Sequence, residues 1–191
     1  MGQPEIERDP SAGEIAAPQA GTELLTDGVL LVLKFVEQFL TVEELRFYRS
    51  LMPGEYVLLS EIYPMWESLT LRIPTQLKAA VKGMIYRNKR ILDAAGAKTP
   101  TDALRAANLL YQSFNRGPRI GGWIVVAEKE NEAIVDDATW PGCGVCAWFI
   151  EAHVRVFGAK AVRINHLESC RKRGDRHCRY RVRWSGVKSA R

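Results

Sequence analysis

The feature that most constrains this chain is a change of hydrophobic period after Arg116-Gly117-Pro118. Upstream, apolar residues recur at three- and four-residue intervals, the mark of helices with one buried face; downstream they alternate, the mark of strands. Four helices are expected first. Gly28–Leu40 carries Val29, Val32, Leu33, Val36 and Leu40 on one side and Leu31, Phe35 and Phe39 on another. It is apolar nearly all round and belongs at the centre of the molecule or in a subunit interface. Thr41 and Glu44 have capping-box spacing and open a second helix, which Pro53-Gly54 ends. Residues 55–74 read as a short strand at Tyr56–Leu59 and then an aromatic loop, Tyr63-Pro64-Met65-Trp66. A third helix covers Thr75–Ala95, and a fourth, capped by Thr99 with Pro100 and Asp102 behind it, runs to Asn115.

Beyond the break, Trp123–Lys129 and Ala133–Asp137 flank a Glu130-Asn131-Glu132 turn as a hairpin. A helix then spans Gly144–Phe157, and strands at Ala161–Ser169 and Cys178–Trp184 follow around a Gly174-Asp175 turn. The expected fold is α+β: N-terminal helices, then a β-β-α-β-β unit whose four-stranded, mainly antiparallel sheet has helices packed on one face. A length of 191 residues suits one domain, placed at 23–185. Residues 1–22, acidic and Pro-containing, read as a disordered tail, and 186–191 as a short C-terminal tail.

The net charge of +5 is uneven. Lys160 to Arg191 holds eleven Lys and Arg against Glu168 and Asp175, so this segment carries +9 and the rest −4. Arg179, Arg181 and Arg183 alternate on the last strand, a positive face suited to phosphates or an acidic protein partner and not to reading bases, so no specific nucleic-acid binding is expected. No apolar run approaches the ~18 residues of a membrane span. With no basic start and apolar core of a secretory signal, the expected compartment is the cytoplasm, where four cysteines favour thiols or a metal over disulfides. The chain has no Ser-His-Asp order, P-loop, G-x-G-x-x-G or Tyr-x-Ser-x-Arg, the last being the signature of haem nitric-oxide sensors. The residues argue for no reaction, and a binding role is favoured over an enzyme.

All four cysteines fall between positions 143 and 178. If Cys170 stands opposite Cys178 in a hairpin, Glu168 faces Tyr180, His166 faces Val182 and Ile164 faces Trp184 on one side of the sheet. A buried carboxylate and imidazole there need partners. Zinc is one: Cys143, Cys146, Cys170 and Cys178 supply four thiolates, or three joined by Glu168 or His166. Free core thiols are the other reading.

The run from Val145-Cys146-Ala147-Trp148 to Gly158, then Glu168-Ser169-Cys170, the Gly174-Asp175 turn and Cys178-Arg179-Tyr180, resembles the 4-vinyl-reductase-like domain family over residues 120–185. That family shares a wider fold with transport-particle (TRAPP) subunits. The resemblance implies a small-molecule-binding or sensory module for a hydrophobic or aromatic ligand. It also implies zinc on Cys143 or Cys146 with Glu168, Cys170 and Cys178, and dimerisation through the first helix. Two other roles follow from it: a factor of tetrapyrrole biosynthesis, or an interaction scaffold. Trp66, Tyr111, Phe114, Trp123, Trp148, His166 and Tyr180 are the candidate ligand-binding residues, with aromatic core packing as the commoner role for such side chains.

Overall fold

The computed structural model describes residues 21–140 and 142–186. The expected tails therefore lie almost wholly outside the described residues; Thr22, counted with the first tail, is buried in the fold. Strand β1 (Glu23–Leu25) leads into α1 (Thr26–Val36) and a 3-10 turn, Glu37–Phe39. There follow α2 (Val42–Ser50), β2 (Tyr56–Leu58), α3 (Leu59–Arg72), α4 (Pro74–Arg87), α5 (Lys89–Ala94), α6 (Pro100–Phe114) and β3 (Asn115–Arg116). The second half is β4 (Trp123–Lys129), β5 (Glu132–Asp137), α7 (Cys143–Val156), β6 (Val162–His166) and β7 (Cys178–Trp184).

The α+β architecture and the four-stranded antiparallel sheet are as expected, with strand order β4-β5-β7-β6. Both capping boxes form: the Thr41 and Thr99 hydroxyls accept from the backbone of Glu44 and Asp102, whose carboxylates accept in return from the cap N–H groups. Three local expectations are corrected. The aromatic stretch at 63–66 is not a loop but the middle of α3, because Ile62, Met65, Trp66 and Leu69 fall on one buried face. That burial outweighs the missing N–H of Pro64. The helix expected at Thr75–Ala95 is two helices, broken at Asn88, whose side-chain amide donates to the Met84 carbonyl. A second small sheet, order β2-β1-β3, joins strands too short to show a period.

Helix α1 packs on α4, α4 on α7, and α6 and α7 cover one face of the four-stranded sheet. Val29, Val32, Leu33 and Val36 of α1 are buried, whereas Phe35 on its other row is 48% exposed, so the helix is covered on one side and not all round. One core fills the helical half; a second, with Ile150, Val154, Cys178, Tyr180 and Val182, lies between α7 and the sheet. Helix α7 borders both.

Candidate functional site

Between these two cores lies a cavity of about 70 Å3. Its walls come from many elements: Gly28, Val29 and Val32 of α1, Trp66 of α3, Met84 and Ile85 of α4, Ala107, Leu110, Tyr111 and Phe114 of α6, and Phe149 and His153 of α7. Leu24, Leu25, Asn115, Trp123, Thr139 and Trp140 close it. Trp66 and Trp140 meet edge to face at 5.2 Å between centroids, as do Trp123 and His153. The Tyr111 hydroxyl is turned away, donating to the Ile120 carbonyl at 2.5 Å.

The polar atoms at this cavity are few. His153 is 1% exposed. Its Nδ1 lies 2.7 Å from the Phe149 carbonyl oxygen. A carbonyl only accepts, so Nδ1 carries the proton and Nε2 keeps a lone pair. Burial in apolar surroundings lowers the imidazole pKa to about 4, and the ring is neutral at pH 7. Three buried polar atoms of the wall have no hydrogen-bond partner among the described residues: His153 Nε2, Trp66 Nε1 and Asn115 Oδ1.

A second centre lies at the N-terminal end of α7. The Cys143 Sγ is 3.2 Å from Cys178 Sγ and 3.8 Å from Cys170 Sγ. With a His166 nitrogen, these ligand atoms all lie within 4.8 Å of one another. Zn–S bonds of ~2.3 Å in a tetrahedron put sulfurs about 3.8 Å apart, so the cluster has the size of a Cys3His zinc site. No disulfide joins the cysteines. Burial and the two neighbouring thiols push Cys143 up to about 12. Burial opposes ionisation of Cys170 too, but the Lys172 backbone N–H, the other two thiols and the Arg173 charge hold it below its ordinary value. The turn between β6 and β7 is shaped by Asp175, which accepts from the Cys170 backbone at 2.7 Å, and by Gly174 at φ 90°.

Asp137 sits between the two centres. Its Oδ1 accepts from Trp123 Nε1 at 2.6 Å, from Thr139 N at 2.8 Å and from Thr139 Oγ1 at 2.7 Å. Thr139 Oγ1 and Cys146 Sγ are 3.4 Å apart. Full burial holds the Asp137 carboxyl above its ordinary value despite these donors and pushes the Cys146 thiol well up.

Of the residues named from sequence, Trp66, Tyr111, Phe114 and Trp123 line the cavity. Trp148 faces a groove on the other side of α7 with Lys78 and Glu151. His166 joins the thiols, its ring 5.0 Å from that of Tyr180, and Tyr180 donates to the Cys143 carbonyl at 2.8 Å. Cys146 is directed to Thr139 and Glu168 is exposed, so neither belongs to the cluster. The hairpin register is corrected by two residues: His166 pairs with Tyr180 and Ile164 with Val182. The 3-10 turn Arg171–Arg173 takes Cys170 out of the ladder. A slip of two leaves every side chain on its face, which is why His166 still meets the cysteines. From sequence His153 reads as a core or surface residue and not a ligand; it is buried, and a lone helical histidine gives no further signal until the walls around it are assembled. The basic stripe is also corrected. Arg179 pairs with Asp136 at 2.5 and 2.7 Å and Arg183 pairs with Glu132, both carboxylates on buried β5, so the chain supplies internally the acid assigned to an outside partner.

No family model matches the sequence, and no curated protein matches it. Solved structures do match by shape. A mutant H-NOX protein from S. oneidensis in the Fe(II) ligation state is 12% identical, with 85% of this chain and 98% of that chain covered, at a TM-score of 0.58. An H-NOX domain from Shewanella oneidensis in the Fe(II)CO state is 13% identical, with 81% and 97% covered, at 0.52. An H-NOX protein from S. oneidensis in the Fe(II)NO state is 13% identical, with 82% and 99% covered, also at 0.52. These neighbours overturn the resemblance to 4-vinyl-reductase-like domains and transport-particle subunits, which rested on one local pattern of cysteines around a Gly-Asp turn. The tetrapyrrole-biosynthesis and scaffold roles lose their basis with it. At 12–13% identity the likeness is one of architecture: the chain has the fold of an H-NOX domain.

Proposed function

We propose that the chain is a small-molecule-binding sensory module whose hydrophobic ligand sits in the cavity between the helices and the sheet. The observation that carries this reading is the cavity itself, walled by five helices and three strands from both halves of the molecule and lined almost entirely by carbon. Interiors normally pack without such voids, and an apolar pocket with a few convergent polar groups is the usual form of a ligand site. The H-NOX neighbours, named for Fe(II), CO and NO states, support a sensory role. Native mass spectrometry together with a thermal-shift panel of small apolar molecules tests it. A retained or stabilising small molecule is expected; no retained mass, with no member of the panel moving Tm or the fluorescence of Trp66 and Trp123, overturns it.

The H-NOX fold implies a haem, and the residues present do not fit one. The cavity's 70 Å3 compares with about 300–1,000 Å3 for pockets that enclose drug-sized ligands. No Lys or Arg lines the cavity to meet haem carboxylates. The one histidine lining the wall among the described residues, His153, turns its unpaired Nε2 toward a space far too small for a porphyrin. No step is derived through haem.

The second part of the reading is a structural zinc on Cys143, His166, Cys170 and Cys178. Its support is the convergence of four ligand atoms within 4.8 Å inside a turn rich in Arg and Lys, where thiolate charge is favourable. Metal analysis of protein purified without chelators is expected to give one zinc per chain. Well-folded protein with far less than one zinc, and with Cys170→Ser equally stable, leaves only thiol packing.

A further inference from the structure

The cavity wall carries more chemical information than its size. Of its buried polar atoms, His153 Nε2 is a lone-pair acceptor, fixed as such by the Nδ1–H donated to the Phe149 carbonyl. Trp66 Nε1–H can only donate. Neither has a partner among the described residues, and both residues are more than nine-tenths buried. An unpaired polar group held away from water is costly, and native proteins leave few. Asn115 Oδ1 is a third unpaired acceptor of the same wall, but the rest of the lining surface is overwhelmingly aliphatic and aromatic carbon, and cavities of that kind tend to stay dry.

Charge is excluded on the same ground. The wall has no Lys, Arg, Asp or Glu to pair with an ionic ligand, and burying an unpaired ion is prohibitive. Size narrows the class further, since 70 Å3 is about half the ~150 Å3 of an apolar cavity that holds benzene. Building on the ligand-binding reading above, we infer that the cavity takes a small uncharged alcohol, whose hydroxyl donates to His153 Nε2 and whose short carbon chain fills the space beside Val32, Leu110 and Phe149. A hydroxyl is also an acceptor, the role that Trp66 Nε1–H calls for. This ligand takes the place of the haem that the fold would otherwise suggest.

Titration of the full chain with 1-propanol, with xenon as an apolar probe of the same space, tests the inference by NMR. The readouts are the Trp66 indole N–H, assigned through Trp66→Phe, and the His153 ring nitrogens. Saturable shifts of both groups with 1-propanol are expected, with affinity about tenfold weaker in His153→Phe and partly restored in His153→Gln, whose amide oxygen accepts. Circular dichroism of both variants guards against misfolding, and Trp66→Phe gives an independent loss. If xenon enters but 1-propanol binds wild type and His153→Phe alike, the alcohol inference fails and the cavity reading stands. If neither probe moves a cavity resonance, the cavity reading itself fails. Ordered water alone at His153 Nε2, or a Soret band on haemin addition that His153→Phe abolishes, also overturns the inference.

Discussion

The two centres along α7 differ in what they lack. At its N-terminal end, Cys143, Cys170, Cys178 and His166 crowd together, and burial and the two neighbouring thiols oppose ionisation of Cys143. In its middle, His153 and Trp66 stand apart from any partner in a wall of carbon. At the first, the proposed zinc would offset the burial and thiol-thiol repulsion that oppose ionisation of Cys143. At the second, the proposed ligand would answer a sparse polarity with its one polar group. The contrast teaches that a metal site is written by convergence of like groups, a ligand site by isolation of unlike ones.

The largest expected effect lies at the cluster. Cys178→Ser, or treatment with a strong chelator, is expected to remove zinc and cost about 4 kcal/mol or more in urea unfolding, while leaving the pH behaviour of His153 intact. If the loss is under about 1 kcal/mol, the cluster is thiol packing and the contrast collapses.

Next comes the pH response of the cavity. His153 has a folded pKa of about 4 against an ordinary 6.5. Below pH 6.5 the unfolded chain takes up a proton that the folded chain refuses, so the stability contributed by neutral His153 is present above 6.5 and lost as pH falls toward 4. Comparing urea unfolding at pH 7 and pH 4, wild type is expected to lose about 3 kcal/mol more than His153→Phe. Equal losses would mean that the imidazole is solvated.

Asp137 sharpens the comparison because it touches both sides. Asp137→Ala strands the Trp123 indole N–H and the two Thr139 donors, and a cost of about 2 kcal/mol is expected. A double-mutant cycle with Cys178→Ser asks whether the centres are coupled; strict additivity would make them independent. The smallest effect is at a distance from both. Thr99→Ala removes the α6 cap and is expected to cost about 1 kcal/mol, with metal content unchanged.

What the sequence revealed follows from the range of each signal. Thr41 with Glu44 and Thr99 with Asp102 act within four residues, and both boxes form. The alternation from Trp123 to Asp137 is equally local and gives the β4-β5 hairpin. Pro64 misled because its local cost is outweighed by the distant surfaces that bury Met65 and Trp66. The hairpin cysteines carried a metal hypothesis, yet the register that brings in His166 in place of Glu168 depends on a 3-10 turn with no periodic signature. The cavity was the least legible part. Its wall runs from Leu24 to His153, and Gly28, Asn115 and His153 are unremarkable until tertiary packing places them together.

Strand β1 has a consequence for how the chain is made. Its three residues pair with β2 and also with β3, so Glu23 lies beside Arg116. At ~5–20 residues per second of synthesis, the first described segment waits for several seconds before its second neighbour leaves the ribosome. The helical half cannot latch until Arg116 is free, and strands β6 and β7 of the sheet emerge only after that. The sheet is completed later still, because β7, the strand that joins β5 to β6, is the last of the four to be made. Until β7 is released, the four-stranded sheet lacks the strand between β5 and β6, and the face that α6 and α7 cover is incomplete.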